Sequence, residues 1–263
     1  MGLPSTLTIF KSTPKKTSEN GPAFYAQPKF FTRTRQREWW TLLHPPYTLM
    51  HLSFVVIGAC LAGPVNTVRL VLTLAAFFLA VGVGAHALDE LKGRPLSTSI
   101  PTWQLVAASG IGLGGAVALG IVGLFLVSAY LAIFIVVGAT IALAYNLELF
   151  HARLHSDVVF ALAWGGFPLL TAYFAQHANV SVPALFASAF AAFISQTQRE
   201  LSSPARDIRR RTASIDGVQV LLDGTAVPLT SQSMLAPLER ALRSLCWATF
   251  ALALSLLYLR LHH

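Results

Sequence analysis

Two polar clusters interrupt otherwise apolar helical stretches: Ala85-His86-Ala87-Leu88-Asp89-Glu90 and Gln196-Thr197-Gln198-Arg199-Glu200. Helical spacing places His86, Asp89 and Glu90 at i, i+3 and i+4 on one face, and Gln196 and Glu200 at i and i+4 on another. A carboxylate inside an apolar span costs about 2.5–3.5 kcal/mol on insertion scales, so such groups face a bundle interior, a cavity or the interface. Carboxylate and amide oxygens from two facing helix ends suit Mg²⁺, a hard cation that keeps several waters and is shared with substrate phosphates. Arg94, Arg199, Arg206 and the run Arg209-Arg210-Arg211 offer planar forks for the phosphate oxygens. His51, one turn past Tyr47, is a candidate cavity-lining residue.

Each of these groups also has a plainer reading. Asp89 and Glu90 suit a helix end that simply reaches water, and the arginine run suits topology and contact with anionic lipid. His51 equally suits a hydrogen-bonded packing role, and His44, His151 and His155 fall near the same interface. An iron or manganese site from His86, Asp89 and Glu200 needs a second imidazole that the sequence does not place. No phosphate-binding glycine loop, zinc-protease helix motif, nucleophile elbow or cysteine cluster is present.

The elements that must position these residues follow from composition. Apolar residues make up 54% of the 263 and charged residues only 11%, which points to an integral membrane protein. A hydrocarbon core of about 30 Å needs roughly 20 helical residues per crossing. The expected spans are 46–63, 67–88, 102–119, 122–146, 156–175, 181–199 and 239–260, with the third and fourth divided at Gly120–Gly123. The fold class is therefore an all-α polytopic bundle of about seven spans.

Residues 1–36 are polar and basic with four prolines and no apolar signal-peptide core, so they read as a disordered cytoplasmic leader. The paired Trp39-Trp40 marks entry to the membrane domain, 37–263. Placing the amino terminus in the cytoplasm puts every Lys and Arg inside except Arg69 and Arg260, as the positive-inside rule requires. That rule also accounts for the net charge of +8 and leaves no call for nucleic-acid binding. Loop 200–238 is the longest on this basic face, and Asp223-Gly224 between two β-prone runs predicts a hairpin that could act as a lid. Cys60 and Cys246 both fall in spans and read as packing residues.

From about residue 37 to 260 the chain resembles the UbiA superfamily of intramembrane prenyltransferases. The resemblance rests on His44-Pro45-Pro46-Tyr47-Thr48, Asp89 followed by Gly93-Arg94-Pro95-Leu96, the helix end Tyr145-Asn146, Ala163-Trp164-Gly165-Gly166, and the cluster ending in Glu200. It implies a UbiA-like fold and Mg²⁺-dependent transfer of a prenyl group from a prenyl diphosphate to an aromatic or other small hydrophobic acceptor. Asp89 and Glu200 are then the catalytic, metal-holding carboxylates, with Glu90, Gln196 and His86 around the metal. Arg94, Arg199, Arg206 and Arg209 would meet the diphosphate, and His51, Tyr145 and Asn146 would line the cavity.

The chain also departs from the family pattern. The family's Asn-Asp-x-x-Asp and Asp-x-x-x-Asp motifs fall on Ala85, His86 and Asp89 and on Gln196 and Glu200, so only Asp89 is a true match. The substitutions remove negative charge and weaken Mg²⁺ binding, and seven spans are two fewer than the family usually has. The competing expectation is a non-catalytic protein of the same fold that binds an isoprenoid lipid or serves beside a partner subunit. A bacterial cytoplasmic membrane is the expected location.

Overall fold

Chain punctuation sets where the helices start. Asn66, Ser156 and Ser181 each accept a hydrogen bond from a backbone N–H three residues on, of Arg69, Val159 and Ala184, and so cap the helices they precede. Pro45 opens another helix at a position where its missing N–H has no intrahelical role. The computed structural model describes residues 31, 33–149 and 156–262. The leader before Phe31, and the expectations placed on His151, Arg153 and His155, lie outside the described residues.

In chain order the helices are α1 (Thr34–Leu42), α2 (Pro45–Leu61), α3 (Thr67–Phe77), α4 (His86–Leu91), α5 (Thr102–Leu126), α6 (Leu131–Asn146), α7 (Asp157–Ala161), α8 (Phe167–His177), α9 (Val182–Arg210) and α10 (Ser231–His262). A π-helical segment, Phe78–Ala85, joins α3 to α4 without a break, and a second, Leu162–Gly166, joins α7 to α8. Buried along most of its length, α2 forms the centre, with α8, α10 and α3 packed around it.

Small residues bring the helix backbones together, as in membrane bundles where apolar lipid gives helices little hydrophobic reason to associate. A β-carbon on Gly58 would lie 2.1 Å from the Leu169 carbonyl oxygen, and one on Gly165 would lie 2.2 Å from that of Ala191. Gly112 meets the Gly84 backbone in the same way, at 2.6 Å.

The outer surface is apolar. Phe125 is 86% exposed, Phe186 74% and Phe193 73%, and Ile111, Ile133 and Trp247 share that surface. Runs 34–61, 67–91, 102–126, 157–177 and 231–262 are long and apolar enough to cross a membrane, so the chain is consistent with an integral membrane protein built as an all-α bundle. The two other expected spans differ from these. Helix α6 is apolar but only 16 residues long, and α9 runs past the expected end at 199 to Arg210, carrying charge over its last turns.

The division at Gly120–Gly123 is corrected: α5 continues to Leu126 and the chain turns at 127–130. Gly120 and Gly123 lie inside α5, where a β-carbon would meet Ile135 at 2.8 Å and Leu131 at 2.7 Å, so they are contacts for α6 and not a break.

Between α9 and α10, β1 (Val218–Val220) and β2 (Ala226–Pro228) pair antiparallel, with Gln219 opposite Val227. The turn contains Gly224 at φ 83°. Beside it the Thr225 N–H donates to Asp223 at 2.9 Å and holds that carboxyl below its usual range. At the end of the bundle opposite the two polar clusters, Arg69 donates to the Leu126 carbonyl at 2.6 Å and the Gln176 carbonyl at 2.8 Å, tying α3 to the ends of α5 and α8. Arg69→Ala is expected to lower the thermal unfolding midpoint by several degrees, since each lost charge-assisted hydrogen bond is worth about 1.5–3 kcal/mol.

Candidate functional site

One end of the bundle gathers the α1–α2 junction, α4, the last turn of α6, α7 and the second half of α9. We call it the basic end. His44, between α1 and α2, has φ 46°, a left-handed conformation that costs a non-glycine residue of order 1–3 kcal/mol. Its ring packs on His86, the first residue of α4, with centroids 4.5 Å apart, and on Tyr47 at 6.4 Å. His86 follows directly on the first π-helical segment, a kind of insertion frequent at functional sites, and its Nδ1 meets the Gly82 carbonyl at 3.2 Å. His51 is 4% exposed, lies close enough to His86 to interact with it electrostatically, and has no hydrogen-bond partner at either ring nitrogen among the described residues. Gln198 of α9 is within hydrogen-bonding reach of the Tyr47 hydroxyl.

A second group lies alongside. Arg199 donates through Nε to Asp157 and through Nη1 to the Tyr145 hydroxyl at 2.8 Å, and its guanidinium stands 4.8 Å from the Phe160 ring centroid. Tyr145 packs on Trp164 at 4.6 Å, and Trp164 stacks on Phe160 at 5.6 Å. Arg199 thus fastens α9 to α6 and α7. Arg199→Met is expected to cost about 2 kcal/mol in unfolding, the scale of a charge-assisted hydrogen bond plus a cation–π contact. Arg199→Lys should recover less than half, because an ammonium has no planar fork.

The structure sorts the residues expected from sequence. His86, Asp89, Tyr145, Asn146, Gln196, Arg199, Glu200 and Arg206 all lie at the basic end. The single face expected for His86, Asp89 and Glu90 is corrected. Asp89 is exposed and its charge reaches the Tyr145 hydroxyl, while Glu90 is wholly buried and turned into the loop that follows α4. Glu90 accepts from the Leu96 N–H at 2.9 Å, the Thr98 N–H at 3.0 Å and the Thr98 hydroxyl at 2.8 Å, so both its oxygens are engaged.

Arg94 is likewise engaged within the loop. It donates to the Ile100 carbonyl at 2.6 Å and the Thr102 hydroxyl at 3.0 Å. Arg209 pairs with Glu239 of α10, and Arg206 touches Ser203 at 3.0 Å. Glu200 is exposed and accepts from Gln196 at 3.0 Å, and Asn146 donates back to the Ala142 carbonyl at 2.7 Å.

Of the residues expected around Mg²⁺, Glu90 is withdrawn into its own loop. Among the described residues no three of His, Cys, Asp and Glu come together to hold a metal, and Glu90 already satisfies three donors of its own loop. Sequence reasoning gave little weight to His44 and none to Ser195, Asp157 or Phe160. Pro45-Pro46 signals a helix break at His44, but the extended conformation that a following proline favours is not the left-handed one observed.

Beside the cluster runs a cavity of about 400 Å³ between α3 with its π segment, α5, α6 and α8. It extends from Arg69 at the opposite end to Ala85 and Trp164 at the basic end. Its wall is almost wholly apolar, with Leu113, Phe134 and Phe167 among the lining side chains. Ala85 precedes His86, and the Trp164 ring lies against Tyr145, so the cavity ends where the polar groups begin.

Fold and site together define a helical bundle with several helices able to span a membrane, an apolar cavity inside it, and a histidine- and arginine-rich cluster at the cavity's end. No protein-family model matches the chain, and no curated protein or solved structure matches it.

Proposed function

We propose that the chain binds an isoprenoid amphiphile of the prenyl diphosphate class, with the tail in the apolar cavity and the anionic head at the basic end. The observation that carries this reading is the contact between cavity and cluster: Ala85 and Trp164 line the one, while His86 and Tyr145 belong to the other. An apolar pocket closed by a few convergent polar groups is the ordinary form of a ligand site. The UbiA resemblance supports the same ligand class, and the asymmetry of Lys and Arg between the loops supports an orientation with the basic end in the cytoplasm.

Binding is the preferred reading, because the carboxylates that Mg²⁺-dependent transfer would need are dispersed or engaged elsewhere. The chain then serves as an isoprenoid-lipid binder or as the subunit of a larger assembly. Transfer to a small hydrophobic acceptor is the second reading, favoured by Asp89, which is exposed at the basic end with its charge reaching Tyr145.

The test is calorimetric titration of detergent-solubilised protein with geranylgeranyl diphosphate, comparing wild type with the double variant Ala116→Phe/Ala139→Phe. Both alanines line the cavity, and two phenyl rings would fill much of it. Affinity is expected to fall at least about tenfold, since each buried CH₂ of a displaced tail is worth roughly 0.8 kcal/mol. Equal affinity in the filled variant rejects the cavity as the tail site. Product formation on adding an acceptor would move the balance to transfer.

A further inference from the structure

Three imidazoles from different parts of the chain converge at the basic end, although sequence reasoning had found no second imidazole to place beside His86. His44 and His86 are in ring contact at 4.5 Å. His51, one turn into α2 beyond Tyr47, is 4% exposed with both nitrogens unpartnered. A buried polar group left unpaired costs about 1–3 kcal/mol, so a side chain this deep calls for a partner that the described residues do not supply. Ser195 repeats the pattern from α9: it is wholly buried, and its hydroxyl has no partner among the described residues. Ser195 lies one turn before Gln198, whose side chain reaches Tyr47, and its hydroxyl oxygen is 2.7 Å from the position a β-carbon on Gly165 would take.

Among the described residues, the charge that acts on the His44 ring is positive. The titratable groups that act most strongly on the His44 ring are His86, Arg210, Arg206 and His51, of which the two arginines carry full positive charge, and the group that acts on His51 is His86. Two nearby carboxylates are directed elsewhere: Glu90 into its loop and Glu200 to Gln196. Such a surplus of cationic and N–H groups in a partly dry setting matches an anion.

We infer that His44, His51 and His86, with Arg206 and Arg210 at the mouth and Ser195 as a further unpaired donor on α9, form a metal-free site for a phosphate or diphosphate anion. This rests on the amphiphile reading above and deepens it by assigning the head group to imidazole and guanidinium donors in place of a bridging cation. In either tautomer His51 has one N–H to donate to a phosphate oxygen, and the Ser195 hydroxyl can donate a second bond. Arginine adds the planar fork suited to two oxygens of one phosphate.

The test compares three probes by calorimetry, each in EDTA and in millimolar Mg²⁺: geranylgeranyl diphosphate, inorganic pyrophosphate, and geranylgeraniol, which has the tail without the phosphates. The proteins are wild type, His51→Phe, His44→Gln/His86→Gln, and Asp89→Asn/Glu200→Gln. The inference expects the diphosphate to bind in EDTA within about threefold of its affinity in Mg²⁺, and at least about tenfold more tightly than the alcohol, the scale of one charge-assisted hydrogen bond. The histidine variants should lose that advantage over the alcohol while still binding the alcohol as wild type does, which shows that they are folded. The carboxylate variant should retain the advantage.

Pyrophosphate binding would identify a site open to free anion, whereas binding of the prenyl form alone would identify a lipid head-group site, and either upholds the anion site. The inference is overturned if diphosphate affinity requires Mg²⁺ together with Asp89 and Glu200, or if the histidine variants keep the full advantage. Failure of the alcohol as well as the diphosphate in wild type rejects the amphiphile reading itself.

Discussion

A valine at Gly165 is expected to prevent the bundle from assembling. The new β-carbon would lie 2.2 Å from the Ala191 carbonyl oxygen, 2.7 Å from the Ala191 carbonyl carbon and 2.7 Å from the Ser195 hydroxyl. Two of those atoms are backbone, so no rotamer change relieves the overlap, and α9 has to separate from the second π-helical segment. Ordinary overpacking costs about 1–3 kcal/mol, and a clash with fixed backbone exceeds that range. Gly165→Val should therefore give aggregated material on size exclusion or an unfolding midpoint lowered by more than ten degrees. Gly110→Ala in α5 is the matched control. No neighbour lies within 4 Å of its β-carbon position, and alanine is favoured over glycine inside a helix by roughly 0.5–1 kcal/mol. A folded, thermally unchanged Gly165→Val protein would show that the close approach is not what holds α9 in place.

Glu90→Ala is expected to have the second largest effect, and to act through the loop that follows α4. The side chain is wholly buried and takes three hydrogen bonds from Leu96 and Thr98. Truncation leaves two backbone N–H groups without their acceptor, at about 1–3 kcal/mol each. The same loop holds Gly93 at φ 84°, Arg94 at φ 54° and Ser97 at φ 54°, conformations maintained only while the surroundings fix them. Loss of about 3 kcal/mol and faster proteolysis between residues 92 and 101 are the expected results, with Glu90→Gln intermediate because an amide keeps one acceptor oxygen. A Glu90→Ala protein as stable as wild type would return Glu90 to the list of possible ligand-binding carboxylates.

Helix positions were largely legible in the sequence because long apolar runs bounded by proline, serine and asparagine leave few alternatives. The division of the third and fourth expected spans was misplaced for a physical reason. Glycine is read as a breaker in water, but in an apolar bundle Gly120 and Gly123 serve close packing against Ile135 and Leu131. The two polar clusters did mark the end of the molecule where polar groups converge. What each residue does there was not legible, since Glu90 and Arg94 take their roles from donors and acceptors in a loop whose path only the folded chain defines. The contact of His44 with His86 depends on one left-handed residue, a geometry that no periodicity encodes.

The central claim is that a long apolar tail lies along the cavity, with its head at the basic end. Photolabelling tests it most directly, using a geranylgeranyl diphosphate that carries a diazirine at the tail end, followed by peptide mapping. The account predicts labelling at the far end of the cavity, on Leu126, Val127 or the first turn of α3 near Arg69, with protection by unlabelled diphosphate. Labelling confined to the lipid-facing surface, at Phe125, Ile133 or Phe186, with no protection by competitor, would contradict it.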